Sequence, residues 1–277
     1  MLNAEVLQKP KPFVKWAGGK RQLLRVIKRR IPSSYNRYIE PFVGGGALLF
    51  ELLPKRAIIN DINEELINAY LVIKNNLDEL INSLKKHENS EDYYYHIRSL
   101  KPHELNNIER DSRFIYLNKT CYNGLYRENS KGEFNVPFGN YKNPKILDEE
   151  NLRMVSRYLN YADITITCMD YKEVCRMATS GDFFYLDPPY YPFSRSSSFT
   201  KYTRHDFTKD DHIELAYIFE ELDKKGCRVL LSNSNTEFIK NLYKGYIVEE
   251  VHTLRSINCK AYGRKRFKFE IVVRNRF

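Results

Sequence analysis

Four consecutive residues, Asp187-Pro188-Pro189-Tyr190, carry the most specific chemistry in this chain. An acid follows an apolar run, and two prolines hold φ near about −65° while removing two N–H donors. An aromatic ring closes the corner. Rigidity of this kind lets one carboxylate and one carbonyl oxygen face a single point. Together they could accept both hydrogens of an amino group while Tyr190 stacks on a planar ring. Simple strand termination would use the same four residues.

A second constellation is Phe42-x-Gly44-x-Gly46, which follows another apolar run and opens a helix. Its glycines permit a tight turn and the close approach of a ligand to backbone. It lacks the G-x-G-x-x-G spacing, so a dinucleotide is not specifically indicated. Asp61 ends the next apolar run and could accept from ribose hydroxyls. Either feature alone reads equally as a turn or a helix cap. At adjacent strand ends, the two point to a nucleoside-shaped ligand. Lys15-Trp16-Ala17-Gly18-Gly19-Lys20 invites a phosphate-loop reading, which fails because Val14 and Arg21 occupy required positions. Trp16, the only tryptophan, is expected against a ligand or a sheet edge, and Lys20 beside a carboxylate.

These residues need a scaffold that delivers them to one place. Tyr38–Phe42, Ala57–Ile59, Ile164–Thr167, Phe183–Leu186, Arg228–Ser232, Ile247–Val251 and Phe269–Val273 read as strands. A helix opens at Thr208 with Asp211 as its capping-box partner and stops at Gly226. Alternation of strands and helices predicts an α/β doubly wound sheet, with ligands beyond the strand carboxyl ends. Residues 62–160 interrupt the alternation with helical patterns at 64–86 and 105–119, then a Gly-, Asn- and Tyr-rich segment. That segment predicts a hairpin, Tyr122–Arg127 and Glu133–Val136 around Asn129-Ser130-Lys131-Gly132. Its interleaved lysines, Arg127 and aromatics suit phosphate and base contacts, as they would an ordinary polar loop.

The 277 residues suffice for a sizeable core, and 42% hydrophobic with 29% charged residues excludes disordered and fibrous classes. Forty-five Lys+Arg against thirty-five Asp+Glu leave a net charge of +10, which favours a polyanionic partner. No stretch approaches the ~20 apolar residues of a membrane span, and no signal peptide is recognisable. A cytoplasmic, DNA-associated protein without a membrane partner is expected. Cys121, Cys168, Cys175, Cys227 and Cys259 form no C-x-x-C, so free thiols and no metal site are expected.

In chain order, KPFVKWAGGKRQLL, EPFVGGGALLFELL, IINDIN, YNGLYRENSKGEFNVPFGNYKNPK and DPPY resemble the Dam-type DNA adenine-N6 methyltransferases. The resemblance covers nearly the whole chain. It implies a Rossmann-like methyltransferase domain, 1–61 with 161–277, binding S-adenosyl-L-methionine. It implies a target-recognition module at 62–160, and double-stranded DNA, typically GATC, as substrate. Cofactor contacts are implied at Trp16, Lys20, Asp61 and Asp187, with Phe42 and the Gly44–Gly46 loop close by. Asp170 would lie near the cofactor adenine, although it could equally cap a turn. Tyr122 matches the aromatic near the flipped base, with Asn123 beside it. Arg127 matches a guanine reader, Leu125 and Pro137 match residues on a neighbouring base pair, and Lys15 one reaching the outer pair. Asn140 departs from the family, many of whose members carry arginine there.

The expected reaction is methylation of adenine N6 by Asp187, Pro188, Pro189 and Tyr190, without a metal. Adenine in RNA or the N4 amine of cytosine would suit D-P-P-Y too, and a catalytically inactive DNA-binding module is the alternative of another class. A functionally paired restriction endonuclease, without a stable complex, is the expected partner. Lys260, Arg264, Lys265, Arg266 and Lys268 form a basic stretch expected to face phosphates.

Overall fold

The computed structural model describes residues 9–16, 21–193, 207–254 and 267–277. Seven strands form one sheet among them: β1 (Tyr38–Glu40), β2 (Arg56–Asn60), β3 (Asp163–Thr167), β4 (Phe183–Leu186), β5 (Arg228–Ser234), β6 (Ile247–Leu254) and β7 (Phe267–Arg274). The order is β3-β2-β1-β4-β5-β7-β6. All pairings are parallel except those of β7, which runs antiparallel to β5 and β6. This is a Rossmann-like, doubly wound α/β sheet, and its order reverses between β1 and β4. Ligands of such sheets bind in the crevice at that reversal.

Strand side chains alternate strictly between two cores, as the two-residue period requires. Tyr38, Ala57, Ile59, Phe183, Tyr185, Leu230 and Val272 join one core; Ile39, Ile58, Phe184, Leu186, Leu231 and Ile271 join the other. The second face is covered by α8 (Tyr171–Arg176), α9 (Lys209–Lys224) and α10 (Glu237–Leu242). Thr208 and Asp211 cap α9 reciprocally, as their spacing predicts. The first face carries α1 (Arg21–Lys28), α2 (Ala47–Leu52) and the helices of the segment between β2 and β3.

That segment is richer in helices than its periodicity suggested. The 64–86 pattern divides into α3 (Glu64–Asn75) and α4 (Leu77–Leu84), because Asn76 leaves helical geometry at φ −134° and ψ 40°. Two further helices, α5 (Glu91–Ser99) and α7 (Glu149–Tyr161), lie outside the expected patterns. The 105–119 pattern is α6 (Asn107–Thr120), opened by a capping box from Asn106 and Glu109. α3 and α7 pack on β3, and α6 lies across α3, α4 and α5. None of the helices among the described residues is long and apolar enough to cross a membrane.

Two buried asparagines stitch the N-terminal segment to these helices. Asn118 on α6 accepts from the Lys15 N–H and donates to the Lys15 carbonyl, both at 2.8 Å. Asn151 on α7 does the same for Lys11, at 2.8 and 2.9 Å. Each side-chain amide thus stands in for one residue of a neighbouring strand. The pair fixes where Lys15 and Trp16 emerge. Asn118→Ala should lower stability by about 1–3 kcal/mol in urea unfolding, because both backbone groups of Lys15 lose their partner.

Candidate active site

β1 ends at Glu40 and passes through Pro41 and Phe42 into the glycine turn that opens α2. Gly44 and Gly46 adopt φ of +50° and +72°, a region that disfavours any side chain. A Cβ on Gly44 would stand 2.7 Å from Trp16 Cδ1, and one on Gly46 2.6 Å from Tyr70 Oη. The turn is also held electrostatically. Asp61, just beyond β2, accepts from the Gly44 N–H through Oδ2 and from the Asn63 N–H through Oδ1, both at 3.0 Å. Tyr70 donates to the Gly44 carbonyl at 3.0 Å. Burial pushes the Asp61 carboxyl up to about 6, although its backbone donors oppose the shift.

Asn60, the last residue of β2, ties the neighbouring loops together. Its amide donates to the carbonyls of Pro41 and Met169 at 3.0 Å, and it accepts from the Met169 N–H at 3.0 Å. Asp170, one residue on, is exposed and accepts from the Lys172 N–H at 2.9 Å. Capping of α8 is therefore the role its geometry displays.

Asp187 follows β4 on the other side of the reversal. Its Oδ1 accepts from Ser232 Oγ at 2.7 Å, and Ser232 Oγ lies 3.0 Å from Tyr185 Oη. Pro188 is buried and Pro189 exposed. Tyr190 donates to Glu270 at 3.2 Å, and the Tyr191 N–H donates to Asn233 Oδ1 at 3.1 Å. Ser232, Asn233 and Glu270 were not singled out from the sequence. A polar Ser-Asn-Ser run closing an otherwise apolar strand was the available signal.

The crevice is acidic. Burial holds the Glu40 carboxyl well above the usual carboxylate range, opposed by the Tyr38 hydroxyl and reinforced by Asp187 and Asp61. Burial, then Asp187 and Glu270, raise the Tyr190 phenol in the same way. Phe42 packs on Tyr171 and Phe207, at centroid distances of 5.1 and 6.0 Å, and so belongs to the face of α8 and α9. Lys20 lies outside the described residues, as do Lys260, Arg264, Lys265 and Arg266 of the basic stretch.

Trp16 joins this crevice to the expected hairpin. Besides covering Gly44, it stacks on Tyr126 with centroids 5.3 Å apart, and Phe114 flanks both rings. The hairpin itself departs from the prediction. Regular strands at 122–127 and 133–136 are replaced by two isolated antiparallel bridges, Cys121 with Phe138 and Glu128 with Phe134. Asn123 and Gly124 adopt φ of +57° and +62°, and Pro137 has no N–H to donate, so no ladder can run through. The turn forms where expected, with the Asn129 N–H donating to the Glu133 carbonyl at 2.9 Å.

Tyr122, Asn123, Leu125, Arg127 and Pro137 are all exposed on this loop. Arg127 Nε donates to Asn135 Oδ1 at 2.7 Å. Lys15 is exposed beside them, its ammonium 5.0 Å from the centre of the Tyr141 ring. Burial lowers the Lys119 pKa; Asp148 opposes this, while Lys15 and Lys145 add to it, marking a basic cluster at the base of the loop.

Comparison with known proteins turns this geometry into a family assignment. The sequence model of the D12 class N6 adenine-specific DNA methyltransferases matches residues 16–257. The chain belongs to this family. It is 45% identical to a Type II methyltransferase of Methanocaldococcus jannaschii, M.MjaIII, over 96% of this chain and 99% of that one. A Type II methyltransferase of Lactococcus lactis, M1.LlaDCHI, is also 45% identical, over 98% of each chain. A DNA adenine methylase of Haemophilus influenzae is 36% identical over 96% of this chain and 94% of its own. The protein is an adenine-specific DNA methyltransferase, and its methyl donor is S-adenosylmethionine.

The crevice suits that donor. Asp61 and Asp187 both act on the buried Glu40 carboxyl between them, and their negative charge favours a ligand bearing sulfonium and ammonium charges. Beside them is a turn in which backbone replaces side chain. Among the described residues of the methyltransferase, no cluster of three or more His, Cys, Asp or Glu could hold a metal ion.

Trp16 is the sole tryptophan and therefore a reporter of this turn. Gly44→Ala should shift its emission and lower stability by roughly 1–3 kcal/mol, since both φ and space oppose the methyl group. Gly45→Ala places its Cβ 3.4 Å from Trp16 Cβ and should change both readouts less.

Proposed function

We propose that this methyltransferase modifies adenine N6 within a GATC-type site of duplex DNA, after turning the adenine out of the stack. The observation that carries the reading is the placement of Asp187 and Tyr190 beside the glycine turn, across the β1–β4 reversal. Residues 1–61 with 161–277 act as the catalytic part and 62–160 as the target-recognition module. The adenine amine is a poor nucleophile because its lone pair is delocalised into the ring. Asp187 and the Pro188 carbonyl accept its two hydrogens and draw the nitrogen toward tetrahedral geometry, while Pro189 keeps the corner stiff. Tyr190 stacks on the extruded base, offsetting a flipping cost of a few kcal/mol, roughly. Bound S-adenosylmethionine supplies an electrophilic methyl group on a good leaving group. Trp16, Lys20, Phe42, Gly44, Gly46 and Asp61 hold that donor, with Asp61 accepting from its ribose and Asp170 at its adenine end.

On the DNA side, Tyr122 fills space near the flipped base with Asn123 beside it, and Arg127 reads a guanine edge. Leu125 and Pro137 touch the neighbouring pair and Lys15 the outer one. The exposure of all six side chains on one loop system supports this reading. The Type II designation of two relatives supports a role as the methylating half of a restriction–modification pair.

Mapping methylated adenines after incubation with S-adenosylmethionine and a random duplex library tests the site preference; methylation scattered over unrelated sequences would refute it. Asp187→Ala should abolish methyl transfer and leave DNA affinity largely unchanged; near-normal turnover would remove Asp187 from the mechanism. Arg127→Ala should cost ~1–3 kcal/mol on the cognate site and relax selectivity at one guanine. A uniform fall on every sequence would instead assign Arg127 to the phosphate backbone.

Asp61 predicts a pH dependence. Hydroxyl donors favour its ionised form, so affinity for S-adenosylmethionine should rise as pH increases through about 6 and then level off. Asp61→Asn should flatten that rise in calorimetric titrations.

A further inference from the structure

We propose that Tyr185 and Ser232 are positioning residues that form a directed hydroxyl relay, Tyr185 to Ser232 to Asp187, which sets the orientation of the Asp187 carboxylate. The inference rests on the reading of Asp187 as the acceptor for the target amine. Direction follows from proton counting. An ionised carboxylate only accepts, so the 2.7 Å contact must use the Ser232 hydroxyl proton. Ser232 Oγ then has only lone pairs left for its neighbour, and the 3.0 Å contact must use the Tyr185 proton.

The sheet places the three groups in line. β4 and β5 pair Tyr185 with Leu230 and Leu186 with Leu231, so the next step sets Asp187 beside Ser232. Tyr185, Leu230 and Val272 are buried in the same core face, where two hydroxyls have no packing advantage over apolar groups. Tyr185 and Ser232 are 1% and 0% exposed, so neither can touch DNA directly. Tyr185 reaches the reacting corner only through Ser232, which donates to Asp187 and also lies against Tyr190. Charge-assisted hydrogen bonds are stronger than neutral ones, and a preceding donor strengthens the chain further. The relay therefore restrains rotation of the carboxylate. Asn233 fixes the same corner from the other side through the Tyr191 N–H.

Single-turnover methylation by the full-length enzyme, with saturating DNA and S-adenosylmethionine, tests the relay. Ser232→Ala should slow the methyl-transfer step by roughly 10- to 100-fold, and Tyr185→Phe by several-fold, with dissociation constants for DNA and S-adenosylmethionine within about twofold of wild type. The double variant should be no slower than Ser232→Ala, because the outer hydroxyl acts only through the inner one. An unchanged rate for Ser232→Ala, or effects of the two changes that multiply, would overturn the relay. Tyr185→Phe removes one oxygen and keeps the ring. If Ser232→Ala does not fold, the Tyr185→Phe rate alone decides, and wild-type turnover refutes the proposal. Asp187→Ala separates the two readings: if it stays active, the mechanism itself fails. If it is dead while both hydroxyl variants are normal, only the relay fails.

Discussion

β1 and β4 meet through two parallel pairings, Tyr38 with Phe183 and Ile39 with Phe184, and at this seam the strand order turns from leftward to rightward. No crossing connection covers the carboxyl end of such a seam, so the loops after β1 and β4 diverge and leave a crevice. The glycine turn comes from one strand and Asp187 from the other. Their spacing is set by backbone hydrogen bonds between neighbouring strands, about 4.8 Å apart in any sheet. A site built across loops alone would lack that ruler.

The seam also explains the charge distribution. The chain is strongly basic, yet the crevice gathers Glu40, Asp61, Asp187 and Glu270. Positive charge instead collects at the loop near Lys15, Lys119 and Lys145. One molecule therefore presents an acidic crevice and a basic loop, the two charges that suit a cationic methyl donor and a polyanionic duplex. Carboxyl oxygens withdrawn from water need donors, and the hydroxyls of Tyr38, Ser232 and Tyr190 each donate to one of these acids.

Much of this was legible from residue order. The parallel strands are short runs that ended within a residue or two of where the structure ends them, and Asp61 and Asp187 mark the ends of β2 and β4. The Thr208–Asp211 box was readable because its chemistry is local. What escaped was non-local or weakly patterned. α5 buries only Tyr94 and Ile97, so its periodicity is faint, whereas α7, with Leu152, Val155 and Leu159 at helical spacing, was legible. The partnership of Ser232 with Asp187 joins residues 45 apart and exists only through strand register. The clamps from Asn118 and Asn151 span more than one hundred positions and leave no mark on spacing. The hairpin was found, but its failure to form a ladder depended on a left-handed Asn123 that composition does not reveal.

The stack of Trp16 on Tyr126 has an evolutionary consequence. The loop that bears Tyr122, Leu125 and Arg127 touches the crevice through aromatic rings, while its exposed side chains hang from turns closed by their own backbone. Substitution of those side chains leaves the glycine turn, Asp61 and the D-P-P-Y corner untouched. On the proposed reading of these residues, target preference can drift under selection while the transfer machinery stays fixed. An ancestral enzyme of this build could then diversify into lineages that mark different words in the genome.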